Sequence, residues 1–122
     1  MSRVVSKLLP ATRSVRLLRA QGYVADMAER KIGLFSKDWG GFADIVAIRP
    51  GWSKSPDVLL VQATGWGNVR SRERKVLASP DAYDCVWSGC RVQVWGWHKE
   101  KHEPKIFDLS DIDLYAPELP GL

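Results

Sequence analysis

Two short apolar segments constrain the fold of this chain more than any other feature. They are residues 42–48, with the sequence FADIVAI, and residues 57–64, with the sequence DVLLVQAT. Apolar residues fill most positions of both segments instead of alternating with polar ones, which indicates strands covered on both faces. Strands of this kind lie in the middle of a sheet. The sequence therefore predicts an α/β protein with a mixed β-sheet flanked by helices.

The segments around these strands predict the other elements. A helix is expected over 11–22, because Pro10 suits a first helical turn and Gly22 suits a C-terminal cap. A second helix is expected over 69–78, with Asn68 as its N-cap and Ser79-Pro80 as its end. The remaining predictions are a strand at 23–30, a loop at 31–41, a short strand, a turn and a long strand within 83–100, and a strand at 104–112.

The length and composition indicate one soluble domain. We expect a single domain over residues 1–122, with an acidic, proline-containing tail at about 108–122. No segment approaches the roughly 20 consecutive apolar residues of a membrane span, so no membrane partner is expected. Cys85 and Cys90 bracket a Ser-Gly turn and are expected to be reduced thiols beside a hairpin. The expected location is therefore the cytoplasm.

Charge is distributed unevenly along the chain. Lys and Arg together number 18, against 14 Asp and Glu. Residues 1–25 contain five basic residues and no acid, whereas residues 106–122 contain four acids and no basic residue. A third cluster, residues 70–75, has four basic residues and one acid. This asymmetry favours a polyanion, and specifically nucleic acid, as the partner of one face.

Polar residues interrupt both apolar strands. Asp44 lies near the start of the first strand, and Gln62 lies near the end of the second, on the face that it shares with Leu60 and Thr64. Burying an unpaired polar group costs on the order of 1–3 kcal/mol, and burying an unpaired charge costs more. Two interpretations follow and remain open at this point. The polar groups either satisfy each other within the core, or they face a common cleft.

The span from the first helix to the basic helix, roughly residues 11–78, resembles the PD-(D/E)xK nuclease superfamily, and within it the archaeal Holliday junction resolvases. In those proteins a helix ends in glycine, and a later strand of the type D-I/L-V/I-A carries a metal-binding aspartate. The next strand ends in E-V-K and carries a second acid and a lysine. The segments GFADIVAI and LLVQAT place Asp44 at the aspartate, Gln62 at the second acid and Thr64 at the lysine.

This resemblance implies a fold, an activity and a cofactor. The implied fold is restriction-endonuclease-like, and the implied activity is hydrolysis of phosphodiester bonds in branched or otherwise structured DNA by a homodimer. Mg²⁺, or Mn²⁺ in its place, would be held by Asp44, by the side-chain oxygen of Gln62 and by the main-chain oxygen of Ala63. The implied catalytic residues are Asp44, Gln62 and Thr64, together with a replacement for the missing lysine.

The chain departs from the resolvase pattern at three positions. The first-helix glutamate would fall near Ala11 or Thr12, the second acid is an amide, and the lysine is a hydroxyl. Glu29 is a candidate replacement acid, with an exposed charge at a strand end as the alternative interpretation. Lys75 or Arg74 is a candidate replacement for the lysine, with a solvated helix face as the alternative. Asp57 lies at the opposite end of its strand and is excluded.

The basic helix is a candidate nucleic-acid-binding element. Guanidinium groups match phosphate oxygens in geometry, and contact with the DNA backbone is how a protein that recognises DNA shape holds its substrate. The preceding GWGN segment supplies an aromatic ring for stacking. By contrast, Trp95 and Trp97 share a strand face and are predicted to be core or interface residues, with base-stacking platforms as the alternative interpretation. The predicted nucleic-acid-binding residues are Trp66, Asn68, Arg70, Arg72, Arg74 and Lys75.

Three functions are compatible with these features. The first is a divalent-metal-dependent endonuclease with an altered site. The second is a nucleic-acid-binding module or subunit that keeps the nuclease fold without its chemistry. The third is an interaction protein in which Asp44, Gln62 and Thr64 form a satisfied buried network.

Overall fold

The computed structural model describes residues 8–28, 30–51 and 55–110. Glu29 and the acidic tail beyond residue 110 therefore lie outside the described residues. The elements in chain order are α1 (Pro10–Ala20), β1 (Val24–Met27), β2 (Arg30–Ile32), β3 (Phe35–Lys37), β4 (Ile45–Arg49), β5 (Asp57–Gly65), a short 3₁₀ helix (Trp66–Asn68), α2 (Val69–Leu77), α3 (Pro80–Trp87), β6 (Arg91–Trp97) and β7 (Lys105–Asp108).

Five strands form one mixed sheet, in the order β1-β4-β5-β6-β7. β5 and β6 are parallel, and the other three neighbouring pairs are antiparallel. The parallel pair needs a crossover connection, which α2 and α3 provide. Strands β2 and β3 form a separate two-stranded hairpin. The prediction of an α/β protein with a mixed sheet flanked by helices is confirmed.

β5 is the centre of the molecule, as its apolar sequence predicts. Its side chains alternate between two hydrophobic clusters, one on each face of the sheet. Leu59, Val61 and Ala63 pack toward α1, together with Trp95 and Trp97 of β6. On the opposite face, Leu60 packs with residues of α2 and α3, among them Val69, Val76 and Tyr83. The prediction that Trp95 and Trp97 are core or interface residues is confirmed, since both lie in the core.

Helix α1 forms for the reasons visible in its sequence. Pro10 occupies the first turn, and Gly22 adopts a left-handed conformation (φ 93°) just after the helix ends. The helix buries Val15 and Leu18, which are three residues apart and lie on one face. Ser14 is also buried, and its hydroxyl accepts a hydrogen bond from the indole N–H of Trp97 (2.8 Å).

Two segments differ from their predicted structures. Residues 31–41, predicted as a loop, contain most of the β2–β3 hairpin, because Gly33 (φ 60°) permits a tight two-residue turn. Residues 80–87, predicted to include a short strand, form α3. Pro80 does end α2, but it also begins α3, where Ala82 and Tyr83 turn inward onto β6.

Smaller predictions are corrected in the same region. Asn68 occupies the N-cap position of α2, but its side chain does not form the capping hydrogen bond. Cys85 and Cys90 are both free, as predicted, but they lie in α3 and just after it and not beside a hairpin. Within the described ranges, no helix has the length and apolar character required to cross a membrane.

Candidate active site

Asp44 immediately precedes β4, and its backbone forms hydrogen bonds on both sides. Its N–H donates to the carbonyl of Val61 on β5 (2.9 Å), and its carbonyl accepts from the N–H of Ala28, which follows β1 (2.7 Å). The β4–β5 register, in which Ile45 lies opposite Val61, continues by one residue to place Asp44 opposite Gln62. The backbone therefore fixes the two polar residues as a cross-strand pair.

The carboxylate of Asp44 is bonded directly to β5. Its Oδ2 accepts a hydrogen bond from Nε2 of Gln62 (2.6 Å) and another from the main-chain N–H of Ala63 (2.9 Å). The two interpretations of these polar residues are therefore both partly correct. Asp44 and Gln62 bond to each other, and both also line a cavity of about 400 Å³ between the sheet and α2.

Gln62 retains an unused acceptor inside this cavity wall. Its side chain is buried, with 2% of the residue surface exposed, and Oε1 has no hydrogen-bond partner in the described part of the chain. An unsatisfied buried polar atom of this kind costs roughly 1–3 kcal/mol. An atom of this kind calls for a partner such as a bound water or ion.

Asp38 lies in the same cavity and was not predicted from the sequence. It follows β3 and immediately precedes a loop that Trp39 and Ala43 close with a pair of backbone hydrogen bonds (2.9 and 3.0 Å). Gly40 and Gly41 both have positive φ, which allows this tight return. The one available sequence signal was the Gly-Gly pair in KDWGGFAD, which indicates a turn just before Asp44.

The loop is anchored to the far side of the cavity. The hydroxyl of Ser79, between α2 and α3, donates a hydrogen bond to the carbonyl of Gly40 (2.9 Å). A side chain at Gly40 would meet the ring of Phe42 at 2.9 Å, so this position accepts only glycine without a local shift. The anchored loop holds the Asp38 side chain at 11% exposure.

Lys75 is the basic residue of the cavity that contacts an acid. It projects from α2, and its ammonium group forms an ion pair with the Asp38 carboxylate. Lys37 and Arg72 also line the cavity. Lys75 is therefore beside the acids, as expected for a replacement of the missing lysine, whereas Arg74, the other candidate, is not among the lining residues described.

The cavity perturbs the ionisation of Asp44. Burial raises the pKa of its carboxyl group to about 7, and hydrogen bonding to Asp38 and the negative charge of Asp38 act on the pKa in the same direction. The N–H of Ala63 and the charge of Lys75 partly oppose this rise. A carboxyl group that titrates near neutral pH, beside a second carboxyl group in one partly buried cavity, is characteristic of reactive sites.

Three of the lining residues offer oxygen atoms of the kind that Mg²⁺ or Mn²⁺ takes as ligands. Asp38 and Asp44 offer carboxylate oxygens, and Gln62 offers an unsatisfied amide oxygen. No group of three His, Cys, Asp or Glu side chains converges among the described residues, so the donors would be two carboxylates supplemented by neutral oxygens. The donor set lacks sulfur and imidazole and therefore does not suit a zinc site.

The structure also places Thr64 and Ala63, which were predicted for the site, and Asp57, which was excluded from it. Thr64 shares the sheet face of Gln62 and is buried (4% exposed), but it is not among the described residues that line the cavity. Ala63 lines the cavity, but the group that it presents to Asp44 is its N–H. Asp57 lies at the other end of β5, as predicted, where it bonds to Tyr23 and Arg91.

The basic residues of α2 divide between two surfaces. Arg72 and Lys75 face the Asp44 cavity. Arg70 and Arg74 instead line a groove of about 710 Å³ with Trp66, Lys105 and Phe107. We call this second surface the Trp66 groove.

The Trp66 groove combines an exposed aromatic ring with cations. Trp66 is 48% exposed, and the Lys105 ammonium lies 5.2 Å from its ring centroid. Asn68, also predicted to bind nucleic acid, is exposed near this groove but is not among its lining residues in the described chain. Its main-chain carbonyl accepts a hydrogen bond from Ser71 (2.9 Å).

Comparison of the chain with protein-family models, with curated proteins and with solved structures returned no match.

Proposed function

We propose that this protein is a divalent-metal-dependent endonuclease that acts on branched or structured DNA, with a restriction-endonuclease-like fold of the PD-(D/E)xK type. One observation carries the proposal. One cavity is lined by Asp44, which precedes β4, by Gln62 of β5 and by Lys75 of the basic helix α2. These are the aspartate, the altered second acid and the replacement cation that the resemblance to the resolvases implies.

The topology supports this proposal. The chain runs from α1 through β1 to the strand that follows Asp44, then through β5 to the basic helix α2. Asp44 and Gln62 are cross-strand neighbours on the α2 side of the sheet. This is the order of elements, and the placement of polar residues on adjacent strands, on which the resemblance depends.

The proposed chemistry is hydrolysis of a phosphodiester. When bound, Mg²⁺ or Mn²⁺ would supply Lewis acidity and charge stabilisation at the scissile phosphate. Asp44 and Gln62 would hold the ion, and the N–H of Ala63 keeps the Asp44 carboxylate oriented. Lys75 and Arg72, on the opposite wall, would bind the negatively charged phosphate.

The Trp66 groove provides the proposed binding surface for the DNA backbone. Arg70 and Arg74 are four residues apart and project together from α2, on a side of the helix different from that of Lys75. Arginine pairs at this spacing bind phosphates, and an exposed indole ring can stack on an unpaired base. A groove of this composition suits DNA in which bases near a junction or end are unpaired.

The test is a cleavage assay on three labelled substrates, a four-way junction, a flap and a plain duplex, each with Mg²⁺ and with Mn²⁺. We expect the wild-type protein to cut a branched substrate and the Asp44→Ala variant to bind but not cut it. Exposed Asp84 on α3 provides the matched control, because Asp84→Ala removes a carboxylate away from the cavity. Absence of cutting by wild-type protein in either metal would contradict the proposal.

A second candidate function is nucleic-acid binding without chemistry. It is favoured by one specific observation, namely that Lys75 is already committed to an ion pair with Asp38. A cation held in this way neutralises a buried acid and is less available to a substrate. Under this alternative the protein binds the junction with the same affinity in the presence and absence of metal, and it cuts nothing.

The resemblance also implies a homodimer, which we propose as the active form. Strand β1 lies at an edge of the sheet and its Val24 and Met27 side chains are exposed, so we propose that these side chains form the interface. Sedimentation equilibrium would detect the dimer. A monomer at every concentration that supports cleavage would contradict this part of the proposal.

A further inference from the structure

We propose that Asp38 is the second carboxylate of the metal site, in the place of the acid that β5 lacks. In the resolvases the second acid is on the strand that here carries Gln62, whereas Asp38 reaches the cavity from the loop before β4. The inference deepens the proposed function and rests on it. It also predicts metal binding by itself, so the two can fail separately.

The position of Asp38 is the first reason. Its carboxylate lies on the wall of the same cavity as that of Asp44. Two carboxylates in one cavity repel each other when both are ionised, and a divalent cation between them removes the repulsion. The position of Asp38 therefore suits a second ligand to the same ion.

The rigidity of its loop is the second reason. The Trp39–Ala43 backbone pair closes the loop that follows Asp38, and the Ser79 hydroxyl bonds to the carbonyl of Gly40 inside that loop. A mere surface acid needs no such anchoring, and ligands held in place before binding lose less entropy when the ion arrives.

Gln62 provides an independent observation that points to a ligand. Its side chain is almost completely buried, it lines the same cavity, and its Oε1 has no partner within the described residues. Amide oxygens are ordinary ligands of hard divalent cations. Asp38, Asp44 and Gln62 together would give the ion two charged donors and one neutral donor. Without Asp38 the ion would have only one charged donor.

The inference also assigns a consequence to the ion pair with Lys75. A cation bound to the Asp38 carboxylate would compete with the Lys75 ammonium for it and weaken the Asp38–Lys75 ion pair. Lys75 then has its ammonium group available for a phosphate, beside Arg72. The ion pair that favours the non-catalytic alternative in the metal-free protein is in this way reconciled with an active site.

Mn²⁺ binding to the full chain tests the inference without reference to cleavage. Free Mn²⁺ is measured by electron paramagnetic resonance in titrations of wild-type protein and of the variants Asp38→Asn, Asp44→Asn and Asp84→Asn. We expect the first two variants to weaken Mn²⁺ binding by about tenfold to a hundredfold, and Asp84→Asn to match wild type. Asp38→Glu, which keeps a carboxylate, should bind more tightly than Asp38→Asn.

Thermal unfolding with EDTA accompanies each titration, so that loss of binding is not confused with loss of fold. If Asp38→Asn unfolds, Asp38→Glu against Asp38→Gln gives the same comparison at a matched side-chain length. Mn²⁺ binding by folded Asp38→Asn equal to that of wild type overturns the inference, as does the absence of Mn²⁺ binding by wild type. Cleavage that is lost in Asp44→Asn but kept in Asp38→Asn overturns the inference alone, whereas metal binding without cleavage overturns only the proposed function.

Discussion

At the residue scale, the buried carboxyl group of Asp44 makes the fold less stable as pH rises. Burial raises the pKa of its carboxyl group to about 7, and Asp38 adds to the effect. The folded protein therefore keeps a proton that the unfolded chain releases between the ordinary value of 3.8 and about 7. Because the folded state holds more protons in this window, stability falls as pH rises through it. Sites that carry chemistry often have such a cost.

Asp44→Asn should consequently stabilise the metal-free protein at alkaline pH. Asn keeps the size of the side chain and removes the buried charge, so we expect the free energy of unfolding at pH 8 to rise by roughly 1–2 kcal/mol. At pH 4, where Asp44 is already neutral in the folded state, the difference should largely disappear. Thermal unfolding in EDTA at both pH values measures it. A variant that is less stable than wild type at pH 8 would show that the Asp44 charge is not a burden to the fold.

At the element scale, β5 is held at its two ends by different chemistry. Its C-terminal half carries Gln62 in the cavity, and its first residue, Asp57, joins it to the neighbouring strands. Asp57 accepts hydrogen bonds from Tyr23 (2.5 Å), Arg91 (3.0 Å) and Arg49 (3.2 Å). Arg49 also lies over the Tyr23 ring, 4.5 Å from its centroid. This cluster fixes the register at the end of the sheet that is remote from the site.

The Asp57 cluster should make stability depend on acid pH. Burial acts to raise the pKa of Asp57, but hydrogen bonds from Tyr23 and Arg91 and the charges of Arg91 and Arg49 outweigh it and lower the pKa overall. The resulting stability is present above the usual pKa of about 3.9 and is lost as pH falls through the lowered value. Asp57→Asn should cost roughly 1–2 kcal/mol at pH 7 and little at pH 2. Urea unfolding of wild type and Asp57→Asn at the two pH values measures this cost. An equal loss of unfolding free energy at both pH values would show that the Asp57 charge is not its cause.

In the proposed function, helix α2 lines both the Asp44 cavity and the Trp66 groove, and variants can test the two surfaces separately. Arg70→Ala combined with Arg74→Ala should weaken junction binding and reduce the slope of log affinity against log salt by about 2, because each arginine is expected to neutralise one phosphate. Mn²⁺ binding should not change, because neither residue lines the Asp44 cavity. Fluorescence anisotropy at several salt concentrations gives the slope. Unchanged affinity at low salt would favour the interaction-protein interpretation.

The elements also show how far the sequence predicts this structure. β4, β5 and α1 were predicted correctly, because continuous apolar runs and terminal Pro and Gly residues are local signals. α3 was mistaken for a strand, since a short apolar run such as YDCVW fits either structure until its packing against β6 is known. Asp38 was missed for a similar reason. Its proximity to Asp44 is set by the loop's backbone pairing and by Ser79, which is distant in sequence.

At the scale of the whole molecule, one sheet separates structural support from the candidate chemistry. On the α1 face, Trp97, Leu18 and Val61 are almost fully buried in the core. The α2 face carries the Asp44 cavity, and the Trp66 groove lies beside it on the same helix. A substrate bound in the groove would contact the same helix that lines the cavity. In the proposed function, this arrangement would let binding and cutting depend on different residues.

The measurement that tests this separation most directly is binding and cutting of one labelled four-way junction by wild-type protein and by Asp44→Asn. Binding is followed in Ca²⁺ and cutting in Mg²⁺ or Mn²⁺, with the same preparations. We expect equal junction affinity for the two proteins, metal-dependent cutting by wild type, and no cutting by Asp44→Asn. Equal cutting by both proteins, or no cutting by either, would show that the Asp44 cavity is not a nuclease site.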